Sequence, residues 1–156
     1  MKIRKATAKD AKGIANVLLR SYNINDIKEG ILVFNNETKK HHHYIVAEEN
    51  KKIAGIATWV MHGLAKHQLA ELDRIAVLPQ HRGKGIARPL FDALVKDAKQ
   101  FYKKNGSKLR KLYLLTHADN ERAQRFYEKL GFKHETTLKE HYYKGKDEYV
   151  YSIFFD

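Results

Sequence analysis

Apolar residues recur along the chain in two periods, and the switches between them mark the elements. Residues 2–6 read as a short first strand, after which Thr7 and Asp10 fit a capping-box-like helix start. Ala11, Ile14, Ala15, Leu18 and Tyr22 follow at helical spacing. From Asn23 to His43 the pattern loosens. Asn, Lys and His interrupt Ile24, Ile27, Ile31, Leu32 and Phe34, which predicts a broken helix and loop bordering a substrate site. YIVAEE (Tyr44–Glu49) and IAGIATWVMH (Ile53–His62), separated by the polar turn Asn50–Lys51, are β-branched and aromatic enough to predict a two-strand hairpin. Another strand runs through Leu69–Leu78 and stops at Pro79. Ile86, Leu90, Leu94, Ala98 and Phe101 define the longest helix, with Pro89 tolerated in or near its first turn. LYLLTH (Leu112–His117) reads as a short buried strand. Asp119 or Asn120 can then cap a helix carrying Ala123, Phe126, Tyr127 and Leu130, which Gly131 stops. Two aromatic-rich strands close the chain, near Phe132–Tyr143 and Glu148–Phe155, joined by a turn at Lys144–Asp147.

This order, β-α-(α)-β-β-β-α-β-α-β-β, predicts an α/β fold: one mixed sheet flanked by helices, forming a single domain over residues 1–156. A chain of 156 residues is long enough to bury a core. No stretch approaches the ~18 apolar residues of a membrane span, and MKIRKATAKD lacks the apolar run of a signal peptide. A soluble, cytoplasmic protein without a membrane partner is therefore expected. The absence of cysteine excludes disulfides, thiolate metal ligands and a cysteine nucleophile. With 30 Lys and Arg against 18 Asp and Glu, the net charge is +12. That favours an anionic partner without separating nucleic acid, acidic protein and phosphorylated cofactor, and a solvated basic surface explains it as well.

The stretch IAVLPQHRGKGIARPL (Ile75–Leu90) narrows the choice. It sets Gln80, His81, Arg82, Gly83, Lys84 and Gly85 between a strand end and a helix start. Glycines let the backbone approach closely, free N–H groups point outward together, and the helix dipole adds positive potential, so the loop suits phosphate. Arg82, Lys84 and Arg88 add charge for a pyrophosphate. A dinucleotide fingerprint would need a third glycine where Arg88 stands, and a P-loop would need G-x-x-x-x-G-K-[ST]; neither is present.

RIAVLPQHRGKGIARPLFDAL closely resembles the acetyl-CoA motif (Q/R-x-x-G-x-G/A) of the GNAT superfamily of N-acetyltransferases. HADNERAQRFYEKLGFK (His117–Lys133) resembles the superfamily's second signature. The resemblance implies acetyl-CoA as acetyl donor, with coenzyme A as product, and a primary amine as acceptor. By the same resemblance, Ile75, Ala76 and Val77 hold the pantetheine arm and acetyl oxygen through their backbone, with Val77 N–H as the oxyanion donor. Gln80 to Arg88, including Ile86 and Ala87, form the pyrophosphate loop, and Asn120 touches the cofactor while also fitting a helix N-cap. Tyr127 takes the place of the general acid.

Three residues compete as the base: Glu71, where histone-type members carry a glutamate; Asp73, on the same strand face; and His117, whose side-chain type titrates near neutrality. The His41–His43 run offers no metal site, because adjacent residues point different ways and no carboxylate follows at ligand spacing. EHYYKGKDEYVYSI (Glu140–Ile153) is similar to the closing hairpin of RimI and Ard-type N-terminal acetyltransferases, which makes Tyr142 and Tyr143 peptide-groove candidates. Leu115 stands where the RimI type has its glutamate. ELDRIAVL also resembles polyamine and small-amine members. A protein lysine or N-terminal amine is the expected acceptor and a polyamine the alternative. From other classes, a noncatalytic acyl-CoA sensor and a basic nucleic-acid-binding module stay open. A monomer or homodimer is expected, with no nucleic-acid partner.

Overall fold

Seven strands and four helices emerge from the two periods. The computed structural model describes residues 1–156. In chain order they are β1 (Lys2–Lys5), α1 (Ala11–Ser21), α2 (Ile27–Lys39), β2 (His42–Glu49), β3 (Lys52–Met61), β4 (Leu69–Val77), α3 (Ala87–Lys104), β5 (Lys111–His117), α4 (Glu121–Lys129), β6 (Lys133–Tyr143) and β7 (Lys146–Phe154). The strands form one sheet in the order β1-β2-β3-β4-β5-β7-β6. Every neighbouring pair is antiparallel except β4 and β5. This is the predicted mixed sheet flanked by helices.

Each face of the sheet buries its own core. On one, α3 packs Leu90, Leu94, Ala98 and Tyr102 against Trp59, Leu72, Leu112 and Leu114. On the other, Ile14, Val17, Leu18 and Phe34 from α1 and α2 cover Tyr44, Val46 and Ile56. Side chains of this size contribute about 1.5–3 kcal/mol each when removed from water, which makes the two clusters the principal source of stability.

The segment expected to be a broken helix and loop is instead the regular thirteen-residue helix α2. The Asp26 side chain caps it by accepting from the Glu29 N–H at 2.8 Å. Only Gly30 and Phe34 are buried, so its apolar stripe is narrow and its polar residues face outward, which is why the periodicity looked interrupted. A charge lock fixes the helix: Arg74 on β4 donates to both oxygens of Glu37 at 2.6 and 2.9 Å, and the Tyr44 hydroxyl donates to the same carboxylate.

Two irregularities in β4 position everything downstream. In the ladder with β3, Thr58 pairs with Arg74 and Trp59 with Leu72, leaving Asp73 as an unpaired extra residue. This bulge turns Asp73 and Arg74 toward the same side, where they lie 3.3 Å apart. The parallel pairing with β5 covers only Leu69–Lys111, Ala70–Leu112 and Glu71–Tyr113. Beyond it the two strands diverge, each still held along its other edge by β3 or β7.

Under the sheet, the Trp59 indole N–H donates to Asp97 at 2.9 Å, and the His43 ring stacks on Trp59 with centroids 4.0 Å apart. Burial holds the His43 pKa below its ordinary value, followed by the opposing influence of Asp97. The folded protein therefore favours the neutral ring, so its stabilisation is complete above about pH 6.5, the unfolded value, and is lost as the pH falls through the lower folded value. We expect thermal melts of the unsubstituted protein to drop as pH falls below about 6.5, and His43→Phe, which keeps the stack, to flatten that part of the profile.

Candidate active site

The opening between β4 and β5 is lined by main chain. Leu78 N–H donates to Ala54 O on β3, and by the alternation of an antiparallel ladder Ala76 turns its own N–H and C=O the same way. The groups of Ile75 and Val77 then face away from β3, into the opening. Their carbonyls support this: Val77 O accepts from Arg82 Nε at 3.0 Å, and Ile75 O lies 3.5 Å from the Tyr22 hydroxyl. Of the three residues expected to offer backbone groups to a cofactor, Ile75 and Val77 face the opening with their carbonyls already met by Tyr22 and Arg82, whereas Ala76 has spent its own groups on the sheet.

Where β4 ends, a turn of 3-10 helix (Pro79–His81) leads into the loop before α3. The N–H groups of Gly83, Lys84, Gly85 and Ile86 donate to no main-chain or side-chain acceptor. Gly83 and Gly85 adopt φ of +80° and +73°, a region that side chains rarely adopt, and a Cβ built on either would meet no atom within 4 Å. Free donors, bare backbone and the N-terminus of an eighteen-residue helix thus converge on one space. That arrangement fits a pyrophosphate, which needs several N–H donors at close range. Of the surrounding side chains, His81 Nδ1 lies 2.9 Å from Glu49, Arg82 is tied to Val77 O, and Arg88 sits 3.2 Å from Asp92 on an exposed helical turn. Gln80 and Lys84 are exposed at the rim.

On the far side of the opening, the Asn120 side chain caps α4 by accepting from the Ala123 N–H at 3.2 Å. Gln124 ties the helix to the end of β5, donating to His117 O and Ala118 O at 3.2 and 3.0 Å. Tyr127 points from α4 into the structure, its ring 5.9 Å from Phe132 and packed against the α3-side core. Burial pushes its pKa up to about 12, so the phenol holds its proton throughout the neutral range. Tyr22, at the end of α1, was not singled out from the sequence. Burial raises its phenol too, followed by the charge of Tyr127, and its hydroxyl lies 3.5 Å from Ile75 O. Only its place at a helix terminus could have signalled this.

Glu71, Asp73 and His117 all face the sheet side opposite α3, but in different company. Glu71 accepts from His62 Nε2 at 2.7 Å and from the Tyr113 hydroxyl at 3.4 Å. Asp73 is held by Arg74 and lies 3.6 Å from His42 Nε2. Glu37, His42 and Asp73 come within 4.8 Å of one another, a cluster of potential ligands invisible in sequence, but the Arg74 guanidinium already fills its cationic position. His117, at the end of β5, presents Nδ1 to Glu148 on β7, a second residue the sequence did not single out. The β6–β7 hairpin bends over this face at Glu140, whose N–H donates to Asp147 at 2.9 Å. It carries Tyr142 and Tyr143, which are 60% and 54% exposed and form an open shelf rather than a closed pocket. Burial of the Tyr142 hydroxyl raises its pKa, followed by the charges of Glu71, Glu148 and Asp73, so three carboxylates converge on it.

Residues 12–132 of the chain match the acetyltransferase (GNAT) family. An N-alpha-acetyltransferase of Saccharolobus solfataricus is 40% identical over 76 residues, a stretch covering 49% of this chain and 42% of that protein; the chain thus matches less than half the length of this relative. Among solved structures, a spermidine N-acetyltransferase of Vibrio cholerae superposes with a TM-score of 0.79 at 22% identity, covering 99% and 95% of the two chains. A ribosomal-protein-alanine N-acetyltransferase of Brucella melitensis superposes at 0.77 and 19% identity, covering 99% and 100%. At such identities the two structures speak for the fold alone. The cradle of free N–H groups, the diverging strands and the match over residues 12–132 converge on one assignment: the chain belongs to the acetyltransferase (GNAT) family.

Proposed function

We propose that the protein is an acetyl-CoA-dependent N-acetyltransferase acting on a primary amine of a protein or peptide, either an N-terminus or a lysine. The observation that carries this reading is the opening between β4 and β5. It joins main-chain groups of Ile75 and Val77 that no neighbouring strand pairs to a helix-terminal loop with four free N–H donors. Bound there, acetyl-CoA supplies an acetyl group already activated as a thioester. The loop Gly83–Ile86 holds its pyrophosphate, Val77 N–H offers an oxyanion donor, and Asn120 and Tyr127 close the site from α4. Tyr127, protonated up to about pH 12, keeps a proton available for the departing sulfur.

The acceptor side supports a peptide or protein amine through the open shelf of Tyr142 and Tyr143, on which an extended chain can rest. The similarity to an N-alpha-acetyltransferase supports the same class. A second reading, a polyamine or other small amine, draws on the three carboxylates converging on Tyr142 and on the fold shared with a spermidine N-acetyltransferase. The net charge of +12 opposes a freely diffusing polycation at long range, which leaves the macromolecular acceptor favoured.

Three outcomes test this. With acetyl-CoA and a panel of free-α-amine peptides, lysine peptides and spermidine, mass spectrometry should detect a 42 Da gain (roughly one acetyl in place of hydrogen) on peptides in preference to spermidine; acetyl-CoA binding without acetylation of any amine sinks the catalytic reading. Gly83→Val, which forces a branched residue into positive φ and fills the cradle, should raise the acetyl-CoA Kd by about tenfold or more in calorimetry. Tyr127→Phe should lower kcat by about 10²-fold or more while acetyl-CoA still binds, and the unsubstituted enzyme should show no alkaline loss of kcat attributable to Tyr127 below about pH 11. An unchanged kcat in Tyr127→Phe removes it from the acid role.

A further inference from the structure

We propose that His117 is the proton acceptor for the incoming amine and that Glu148 is the residue that positions it, while Glu71 holds the acceptor's ammonium rather than deprotonating it. This deepens the acetyltransferase reading and rests on it.

Glu148 is a carboxylate with 2% exposure on β7, flanked in register by His117 on β5 and Leu138 on β6. A buried carboxylate is stable only when its oxygens find donors. Its sole hydrogen-bond partner is Nδ1 of His117, and no lysine or arginine is paired with it. A group so placed selects one tautomer of the neutral imidazole: Nδ1–H donates to Glu148, so Nε2 carries the lone pair. The ring is 44% exposed, and Nε2 has no partner.

The location suits the task. His117 lies on the same face of β5 as Tyr113, whose hydroxyl reaches Glu71. His117, four residues beyond the last β4–β5 pair, lies on the strand across the opening from the Ile75–Val77 main chain proposed to hold the acetyl group. The Tyr143 ring, 6.2 Å away, walls the imidazole on the hairpin side. Glu71 is differently employed. It already accepts from His62 and Tyr113, and it sits at the closed end of the opening, where β4 and β5 are still paired. A negative charge there can attract an ammonium and steer it toward His117.

The protons balance as follows. The acceptor ammonium gives one proton to His117 Nε2, which returns it to solvent. The freed nitrogen lone pair forms the N–C bond at the acetyl carbon as the C–S bond breaks, and the sulfur takes the Tyr127 proton. The second proton shed by the nitrogen restores Tyr127.

The experiment compares His117→Ala, Glu148→Gln, Glu148→Asp, Glu71→Gln and the His117→Ala/Glu148→Gln double variant, using the best peptide of the panel and, separately, spermidine. We expect His117→Ala to lower kcat by about 10²–10³-fold and Glu148→Gln by about 10–10²-fold, with acetyl-CoA Kd unchanged by calorimetry. The double variant should be no slower than His117→Ala alone, and Glu71→Gln should raise the acceptor KM more than it lowers kcat. Independently of turnover, nitrogen NMR of the ligand-free protein should find the His117 proton on Nδ1 and lose that preference in Glu148→Gln; Glu148→Asp, which keeps the charge but withdraws it by one methylene, should fall between. Near-normal kcat in His117→Ala, or a Glu148→Gln loss that persists undiminished without His117, overturns the assignment. If the unsubstituted protein acetylates no amine, the proposed function itself falls, an outcome distinct from either.

Discussion

Everything in the candidate site hangs on the parting of two strands. β4 and β5 run parallel for three residue pairs and then separate, which would ordinarily leave costly unpaired main-chain groups in a sheet interior. The separation is sustainable because each strand stays paired along its other edge, β4 with β3 except at the Asp73 bulge and β5 with β7. The exposed donors and acceptors are thereby held rigid, with little freedom to find partners of their own. Val77 O is met by Arg82, and the remaining groups form a ready surface for an amide-rich ligand arm. A rigid set of unsatisfied donors is what favours a developing oxyanion, since no reorganisation is needed when charge appears.

The β-bulge at Asp73 works with the parting. Without the extra residue, Arg74 would sit on the α3 side and could not reach Glu37 and Tyr44; with it, Arg74 ties α2 to the sheet beside the opening. Helix α2 and strand β4 therefore share one anchor. Glu71, Asp73 and Glu148 lie on one side of the opening, on a chain whose overall balance is +12, and each is met by a histidine or arginine.

The order of elements was legible in the sequence because apolar spacing switched cleanly between strand and helix periods at nearly every boundary. The loop stood out less by Gly83 and Gly85 themselves, which alone suit a plain turn, than by their place among basic residues between a strand end and a helix start. What was hidden depended on register. Asp73 looked like one of two alternating carboxylates because a bulge leaves no mark in composition. Ala76 looked equivalent to Ile75 and Val77 until the ladder decided which residues faced β3. Glu148 read as an ordinary strand residue beside a turn, and only its pairing opposite His117, 31 positions earlier, gives it a role. α2 was misread because a helix with two buried residues carries almost no periodic signal.

The two hydrophobic cores lie on opposite faces of the sheet, one beneath α3 and the donor loop, the other beneath α1 and α2. The backbone of the sheet stands between them as a partition, with no side chain common to both clusters. Substitutions that reshape the α1–α2 wall are thus felt mainly in their own core and leave the opposite one packed. A scaffold divided in this way lets one face be repacked while the loop before α3, which rests on the other, keeps its support.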